Sequence, residues 1–197
     1  MARFIFKIVT LFTILILTSC SQKPDAGGDC IVPSHVRSGD VILRREIGMI
    51  SRFFATIASE EKIFSHVGII YIDHGDTTVL HCEAIETGET NSLRNESFCM
   101  FLNEADTFSI YQLNVPDSLS SKVAEQAHAM YMAGAKFDYS FDAGTDSLLY
   151  CTEYVAKAIN QVIGDSTITP NHTIHGKCGY SIDDIAAFLG NVAKNSW

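Results

Sequence analysis

The acidic composition of this 197-residue chain excludes several broad classes of protein. It carries 14 Lys and Arg residues against 23 Asp and Glu residues, which gives a formal net charge of −9 at pH 7. A nucleic-acid-binding surface needs clustered positive charge, so the chain is not expected to bind nucleic acid. The length fits one domain of ordinary size, large enough to bury a proper core.

The first residues have the pattern of a secretory signal. Arg3 and Lys7 precede an apolar run over 8–17, which is short for a membrane span. The run ends in the letters LTSC, which resemble the bacterial lipobox, whose cysteine is lipidated. We therefore expect a lipoprotein signal peptide over 1–19 and a lipid anchor on Cys20. An ordinary signal peptide cut nearby is the alternative.

The next segment, 20–33, is polar and contains Pro and Gly, which is typical of a tether. A single domain is predicted over 34–197. It opens with a turn at 38–40 and a strand from Val41. The segment 47–59 has apolar residues at helical spacing, which predicts a helix with one apolar face.

The middle of the chain is rich in strand signals. Two β-rich runs flank a short turn at 73–76, which predicts a hairpin. A short helix over 95–105 and a strand over 107–115 follow. A helix with several N-cap candidates then runs over 117–134 and stops at Gly134.

The C-terminal part is mainly helical. A loop over 135–149 leads to a helix that begins near Cys151, buries one apolar face and stops at Gly164. A last helix over 181–192 has Ser181 near its start, where a polar cap is expected. Strands in the middle and helices on both sides indicate an α+β fold.

Cys151 at a helix start has three possible roles. The unpaired N–H groups and the helix dipole stabilise a thiolate there and lower its pKa, and the same N–H groups can hold an oxyanion. The alternatives are a small buried apolar residue and one half of a disulfide. Position alone favours the buried residue modestly.

The cysteine count bears on this choice. Beyond Cys20 the chain has an odd number of cysteines, which suggests a free thiol in an exported protein. The five are Cys30, Cys82, Cys99, Cys151 and Cys178. If Cys151 is the free thiol, the other four pair in one of three ways or stay reduced. Neither a CxxC pair nor zinc-ligand spacing occurs, so no metal site is predicted.

A nucleophilic thiol needs a base, and the predicted hairpin supplies one. A loop of two or four residues gives facing pairs whose numbers sum to 149, which places His66 directly opposite Glu83 on one face. The carboxylate can then fix the tautomer of the imidazole. His81 shares the face, opposite Gly68, and is a reserve candidate. The alternative is a cross-strand ion pair without a catalytic role.

Five sequence blocks, in order, resemble the permuted papain-like amidases, the YiiX/YebB-like group of circularly permuted NlpC/P60 enzymes. They are SGDVIL (38–43), SHVGIIY (65–71), CEA (82–84), FDYSF (137–141) and YCTEYVAKA (150–158). The resemblance implies a circularly permuted papain-like fold, with an antiparallel sheet or partial barrel packed on the Cys-bearing helix. It also implies Cys151 as nucleophile, His66 as base and Glu83 as orienting residue.

The implied activity is that of a cysteine amidase or peptidase, which cleaves an amide bond in a cell-envelope substrate through a thioester. No metal or organic cofactor is expected. The expected partners are a small amide-containing peptide, a peptidoglycan fragment or a lipid-linked amino acid, and the membrane through Cys20. The expected location is the bacterial cell envelope, facing the periplasm or the outside. The alternatives are a thiol acyltransferase or lipase on the same fold, and an inactive binding lipoprotein.

Overall fold

The computed structural model describes residues 30–46, 63–84, 90–103, 105–145, 147–189 and 195–196. The predicted signal peptide, Cys20, most of the tether and the predicted helix at 47–59 lie outside these ranges. Within them, no helix combines the length and the apolar character needed to cross a membrane.

A six-stranded antiparallel sheet forms the centre of the described chain. Its strands are β1 (Val41–Glu46), β2 (His66–Asp73), β3 (Asp76–Cys82), β4 (Leu93–Ser97), β5 (Ala105–Tyr111) and β10 (Asn195–Ser196). Their order is β10-β5-β1-β2-β3-β4, and β4 and β10 form the two edges. The predicted antiparallel sheet is therefore present, and the described strands do not form a closed barrel.

Four helices and two small ladders complete the described structure. The helices are α1 (Phe98–Leu102), α2 (Asp117–Ala133), α3 (Cys151–Ile163) and α4 (Ile182–Leu189). The ladders pair β6 (Lys136–Phe137) with β7 (Leu148–Leu149) and β8 (His172–Ile174) with β9 (Lys177–Gly179). The predicted stops of α2 and α3 at Gly134 and Gly164 are confirmed.

The start of α4 shows why its sequence folds locally. The Ser181 hydroxyl accepts the Asp184 N–H at 3.0 Å, and the Asp184 carboxylate accepts the Ser181 N–H at 2.8 Å. This reciprocal pair is a capping box, which satisfies two otherwise unpaired N–H groups. The predicted helix start at Ser181 is confirmed.

The short helix predicted over 95–105 is correct only for its centre. Residues 93–97 form β4 instead, because they pair along β3, and α1 begins only after Ser97, whose hydroxyl accepts the Met100 N–H at 3.2 Å. The strand predicted over 107–115 is displaced to 105–111. The hairpin of β8 and β9 was not predicted.

Strand alternation gives the sheet two different faces. We call the first the helix face: it packs α2 and α3 onto one apolar core, which includes Val67, Leu80 and Cys82. We call the second the His face: Ile70 and Val79 pack there against α1 in a smaller cluster. The rings of His66 and His81 also lie on the His face, beside Phe101 of α1.

Candidate active site

The hairpin between β2 and β3 has the predicted register. Its loop is the pair His74-Gly75, both with positive φ (49° and 92°), as a tight two-residue hairpin turn requires. Paired residues run from Asp73 opposite Asp76 to Gly68 opposite His81. Every pair sums to 149, so the register prediction is confirmed.

Cys151 lies where the start of α3 meets the start of β2. It is a free, partly buried cysteine and the first residue of the helix, after the extended N-cap residue Tyr150. Its thiol sulfur faces the backbone N–H groups of Val67, Thr152 and Cys151 itself. Because Val67 follows His66 directly, the thiol lies against the backbone beside the predicted base.

The electrostatic state of this thiol differs from the one expected from helix position alone. Burial and, to a smaller extent, the Glu46 carboxylate raise the pKa of Cys151 to about 12, although the three N–H groups act to lower it. Removal from water disfavours the thiolate more strongly than the helix terminus favours it. At neutral pH the resting thiol is therefore protonated.

His66 begins β2 with its ring buried on the His face. Its Nε2 lies 2.9 Å from His81 Nδ1, and its Nδ1 lies 4.0 Å from Glu46 Oε1. Burial holds the pKa of His66 well below its usual value, and the nearby His81 and Arg44 lower it further. The ring is therefore neutral. Among the described residues, no hydrogen bond joins it to the Cys151 thiol.

Glu83 follows β3 and is half-buried. The register, continued two residues past the Gly68–His81 pair, would place it opposite His66. Burial raises the pKa of its carboxyl, and the neighbours that act most against this rise are His81 and Arg44. Among the described residues, no ion pair joins Glu83 to His66, so its orienting role stays a prediction.

Glu46, which the sequence analysis missed, is the carboxylate beside His66. Its Oε1 accepts from Arg44 Nη2 at 2.6 Å and from Arg44 Nε at 3.1 Å. The Arg44 guanidinium also donates to the Phe101 carbonyl and lies 4.2 Å above the Phe101 ring. Strand register could have identified Glu46 from the sequence. Arg44 pairs with His66 across β1 and β2, and Glu46, two residues after Arg44, lies on the same face of β1.

His81 has a carboxylate partner on the neighbouring strand. Its ring is fully buried, and Nε2 lies 3.4 Å from Glu96 Oε2 of β4. The hydrogen bond from His81 is the main cause that lowers the pKa of Glu96. The reserve candidate His81 therefore lies between two polar neighbours, Glu96 at Nε2 and His66 at Nδ1.

The cysteines resolve the alternatives left open by their count. Cys30 and Cys99 form a disulfide, while Cys82, Cys151 and Cys178 are free. The buried Cys82 thiol donates to the Leu149 carbonyl at 3.1 Å, and Cys178 is exposed. Cys151 is therefore not half of a disulfide in this structure.

Within the described ranges, no three His, Cys, Asp or Glu side chains converge in a way that would hold a metal ion. The histidines and carboxylates of the His face form hydrogen bonds and ion pairs with one another instead.

Comparison with known proteins places the fold and the family. No curated protein matches the chain significantly. A solved structure described as the metalloprotein yiiX from Escherichia coli O157:H7 is similar, with a TM-score of 0.52 and 18% identity over 64% of this chain and 66% of that one.

Residues 35–186 match the family described as "Permuted papain-like amidase enzyme, YaeF/YiiX, C92 family". The mixed α/β structure with its antiparallel sheet is consistent with a papain-like fold. Because the match spans most of the chain, this protein belongs to the YaeF/YiiX family of permuted papain-like amidases.

Proposed function

We propose that the protein is a cysteine hydrolase that cleaves an amide bond in a cell-envelope substrate, with Cys151 as nucleophile and His66 as base. One observation carries this proposal: the free Cys151 thiol lies at a helix start against the N–H of Val67, the neighbour of the buried His66. Membership of an amidase family supports the reaction class. The circular permutation and the packing of the sheet on α3 as in papain belong to the same proposal.

The resting charges define the first step. Both the thiol and the imidazole are neutral, so Cys151 is not held as a thiolate by a preformed ion pair. His66 takes the thiol proton as the sulfur attacks the amide carbonyl, after the two side chains approach each other. The N–H groups at the start of α3 are the available donors for the oxyanion.

The remaining steps return the enzyme to its resting state. The imidazolium of His66 protonates the departing amine, which leaves a thioester on Cys151. His66 then takes a proton from water, whose oxygen attacks the thioester. The carboxylic acid leaves and the proton returns to the sulfur.

The location and partners are part of the same proposal. A lipid on Cys20 anchors the domain in the envelope membrane, facing the periplasm or the outside. The disulfide between Cys30 and Cys99 supports an oxidising compartment. Suitable substrates are small peptides, peptidoglycan fragments or lipid-linked amino acids, because a lipoprotein meets all three at the envelope.

No step of the proposed chemistry uses a metal ion. The word metalloprotein in the description of yiiX applies to that protein. The described side chains of this chain do not offer three converging metal ligands, so these side chains do not fit a bound metal ion. The proposed chemistry needs only the thiol, the imidazole and water.

The test is a panel of fluorogenic amides of single amino acids and short peptides, with a p-nitrophenyl ester of a fatty acid beside them. We expect amide hydrolysis by the wild type and none by Cys151→Ala. His66→Ala should be slower by roughly 10²- to 10⁴-fold, the usual contribution of a general base. Cys178→Ser, which removes an exposed free thiol, is the matched control and should retain full activity.

The other outcomes identify the alternatives. Cleavage of the ester alone would assign the chain to the lipases, and transfer of the acyl group to an added amine or lipid acceptor in preference to water would assign it to the acyltransferases. Binding of an envelope ligand by wild type and Cys151→Ala alike, without turnover of any substrate, would assign it to inactive binding lipoproteins.

A further inference from the structure

A chain of polar side chains, with two buried imidazoles at its centre, crosses three strands of the His face. Glu96 Oε2 on β4 lies 3.4 Å from His81 Nε2 on β3, and His81 Nδ1 lies 2.9 Å from His66 Nε2 on β2. The chain ends at His66 Nδ1, whose neighbour at 4.0 Å is Glu46 Oε1. Each imidazole therefore has a distinct group at each of its two nitrogens.

This order of groups is the basis for a tautomer assignment. The contact between His66 Nε2 and His81 Nδ1 needs one donor and one acceptor. Nε2 of His81 faces a carboxylate, which can only accept, so a single proton on His81 belongs on Nε2 and leaves Nδ1 as an acceptor. His66 then donates from its own Nε2, which leaves its lone pair on Nδ1.

We propose that His81 and Glu96 are positioning residues that hold His66 with its proton on Nε2 and its basic lone pair on Nδ1. His81 thereby takes the orienting role that the family resemblance gives to Glu83. The inference rests on the proposed function in one respect, that His66 is the base.

The surroundings fix this arrangement in place. The two imidazole rings meet edge to face at 86°, with centroids 5.0 Å apart, and the Phe101 ring packs against both. Gly68, opposite His81, leaves no space to spare: an added Cβ would lie 3.3 Å from His81 Cβ. His81 is fully buried and has no solvent into which it can rotate.

The side chains of Glu96, His81 and His66, which we call the relay, also stabilise the charged state that catalysis creates. When His66 accepts a proton at Nδ1, its Nε2–H still donates to His81, which remains polarised by the Glu96 carboxylate. The new Nδ1–H faces Glu46. The charged and titratable groups around this pair lie on three elements: Arg44 and Glu46 on β1, Glu83 after β3, and Arg94 and Glu96 on β4.

The first test reads the tautomer directly and does not depend on activity. Two-bond ¹H–¹⁵N spectra of the full chain, with His66 assigned by comparison with His66→Gln, distinguish a protonated from an unprotonated ring nitrogen. We expect an unprotonated Nδ1 in the wild type and a shift toward mixed tautomers in His81→Leu. His81→Asn, whose amide oxygen can stand in for Nδ1 as acceptor, should keep the wild-type tautomer. A proton on Nδ1 of His66 in the wild type would overturn the proposal.

The second test measures hydrolysis of the amide that the wild type cleaves fastest. We expect roughly 10- to 100-fold slower hydrolysis in His81→Leu and a smaller loss in Glu96→Gln, each a part of the general-base contribution. His81→Asn should recover much of the rate. His128→Asn, which changes a histidine stacked on Tyr71 away from the relay, is the control.

The outcomes separate the two levels of inference. A larger loss in Glu83→Gln than in His81→Leu would return the orienting role to Glu83. If His66→Ala leaves the rate of amide hydrolysis unchanged, the proposed function is wrong, and the relay has no catalytic role even where the spectra show the expected tautomer. His81→Leu folding is checked by circular dichroism, and Glu96→Gln, at a partly exposed site, supplies the same test should His81→Leu not fold.

Discussion

The two faces of the central sheet are built in different ways. The helix face is covered by α2 and α3, of 17 and 13 residues, over one continuous apolar core. The His face is covered by the five-residue α1, a small apolar cluster and buried polar side chains. The first face obtains its stability mainly from apolar burial, whereas the second depends on specific polar contacts and a disulfide.

Because the two faces differ, the first two residues of β2 can each contribute to the candidate active site from a different side of the sheet. Successive residues of β2 point to opposite faces, so Val67 packs in the apolar core while His66 joins the polar network. The backbone N–H of Val67 reaches the Cys151 thiol from this point. The nucleophile is thus carried by the rigid apolar face, and its proposed base is tuned by the polar face.

The largest predicted effect concerns the charge state of Cys151. Because the pKa of its thiol is raised to about 12, the thiolate fraction should rise about tenfold per pH unit up to that value. We expect iodoacetamide to label Cys151 roughly 1000-fold faster at pH 10 than at pH 7 in a Cys178→Ser background. Intact-mass spectrometry with peptide mapping measures the rate at each pH.

Free glutathione is the reference for this profile, since an unburied thiol with a pKa near 8.5 should level off above about pH 9. A Cys151 rate that is flat from about pH 6 to 9 would show a preformed thiolate–imidazolium pair. That result would contradict both the neutral resting thiol and the charge assignment of the His face.

The second prediction tests whether the His face needs its disulfide. The Cys30–Cys99 bond closes a separation of 69 residues and joins the entry of the domain to α1. Loop-closure entropy then predicts that Cys30→Ser/Cys99→Ser loses about 2–4 kcal/mol of unfolding free energy. Urea denaturation measures the loss, and hydrogen exchange should rise in α1 and β4 before it rises in α3.

Cys178→Ser is again the matched control, because it removes an unpaired, exposed cysteine and should change stability by less than about 0.5 kcal/mol. An unchanged urea midpoint in the double variant would mean that contacts other than the disulfide hold α1 on the His face.

The sequence predicted the elements of the helix face better than those of the His face. Helical periodicity and glycine stops located α2 and α3, and counting located the register that puts His81 opposite Gly68. β4 was missed because its residues, LRNES, are polar and have weak strand propensity; they extend because β3 offers a partner.

The candidate site was only partly predictable for a similar reason. Alternation places His66 and His81 on one face, but which ring nitrogen meets which neighbour depends on packing against Phe101 and Arg44. The direction of the Cys151 pKa depends on how closely α3 packs on β2, which no local pattern encodes. Disulfide pairing is a long-range property, and three pairings were equally compatible with the spacing.

The third prediction concerns the close contact between β2 and β3 on the His face. A Cβ added at Gly68 would lie 2.5 Å from Val79 Cγ1 and 3.1 Å from the Leu80 carbonyl oxygen. We expect Gly68→Ala to cost about 1–3 kcal/mol of stability and to displace His81. Thermal unfolding and the His66 tautomer spectrum measure the two effects.

Gly144→Ala is the matched control for this change, because it adds the same methyl group in a loop, 3.2 Å from the movable Asp142 carboxylate. It should leave both readouts nearly unchanged. A Gly68→Ala protein with wild-type stability would show that β3 can move away from β2, so that His81 is less firmly held than the relay requires.

The smallest predicted effect compares two carboxyl groups whose pKa values shift in opposite directions, one on each face of the sheet. Burial raises the pKa of Glu153, on α3, to about 7, although Lys157 lies 3.0 Å away, whereas the hydrogen bond from His81 lowers the pKa of Glu96. The raised pKa means that the stability contributed by Glu153 is fully present below about pH 4.5 and is lost as the pH rises through about 7. Glu153→Gln does not titrate, so the fall in unfolding free energy between about pH 5 and 8 should shrink by roughly 1–2 kcal/mol. Glu125→Gln, which removes an exposed charge from α2, controls for net charge.

Glu96→Gln should act in the opposite direction. The ionised Glu96 is the form that the folded His face favours, so the wild type gains stability from this group as the pH rises from acidic to neutral values, and Glu96→Gln should lack that gain. If both variants changed the pH dependence with the same sign, the two faces would not differ electrostatically, and the contrast between an apolar face that carries the nucleophile and a polar face that tunes the base would fail.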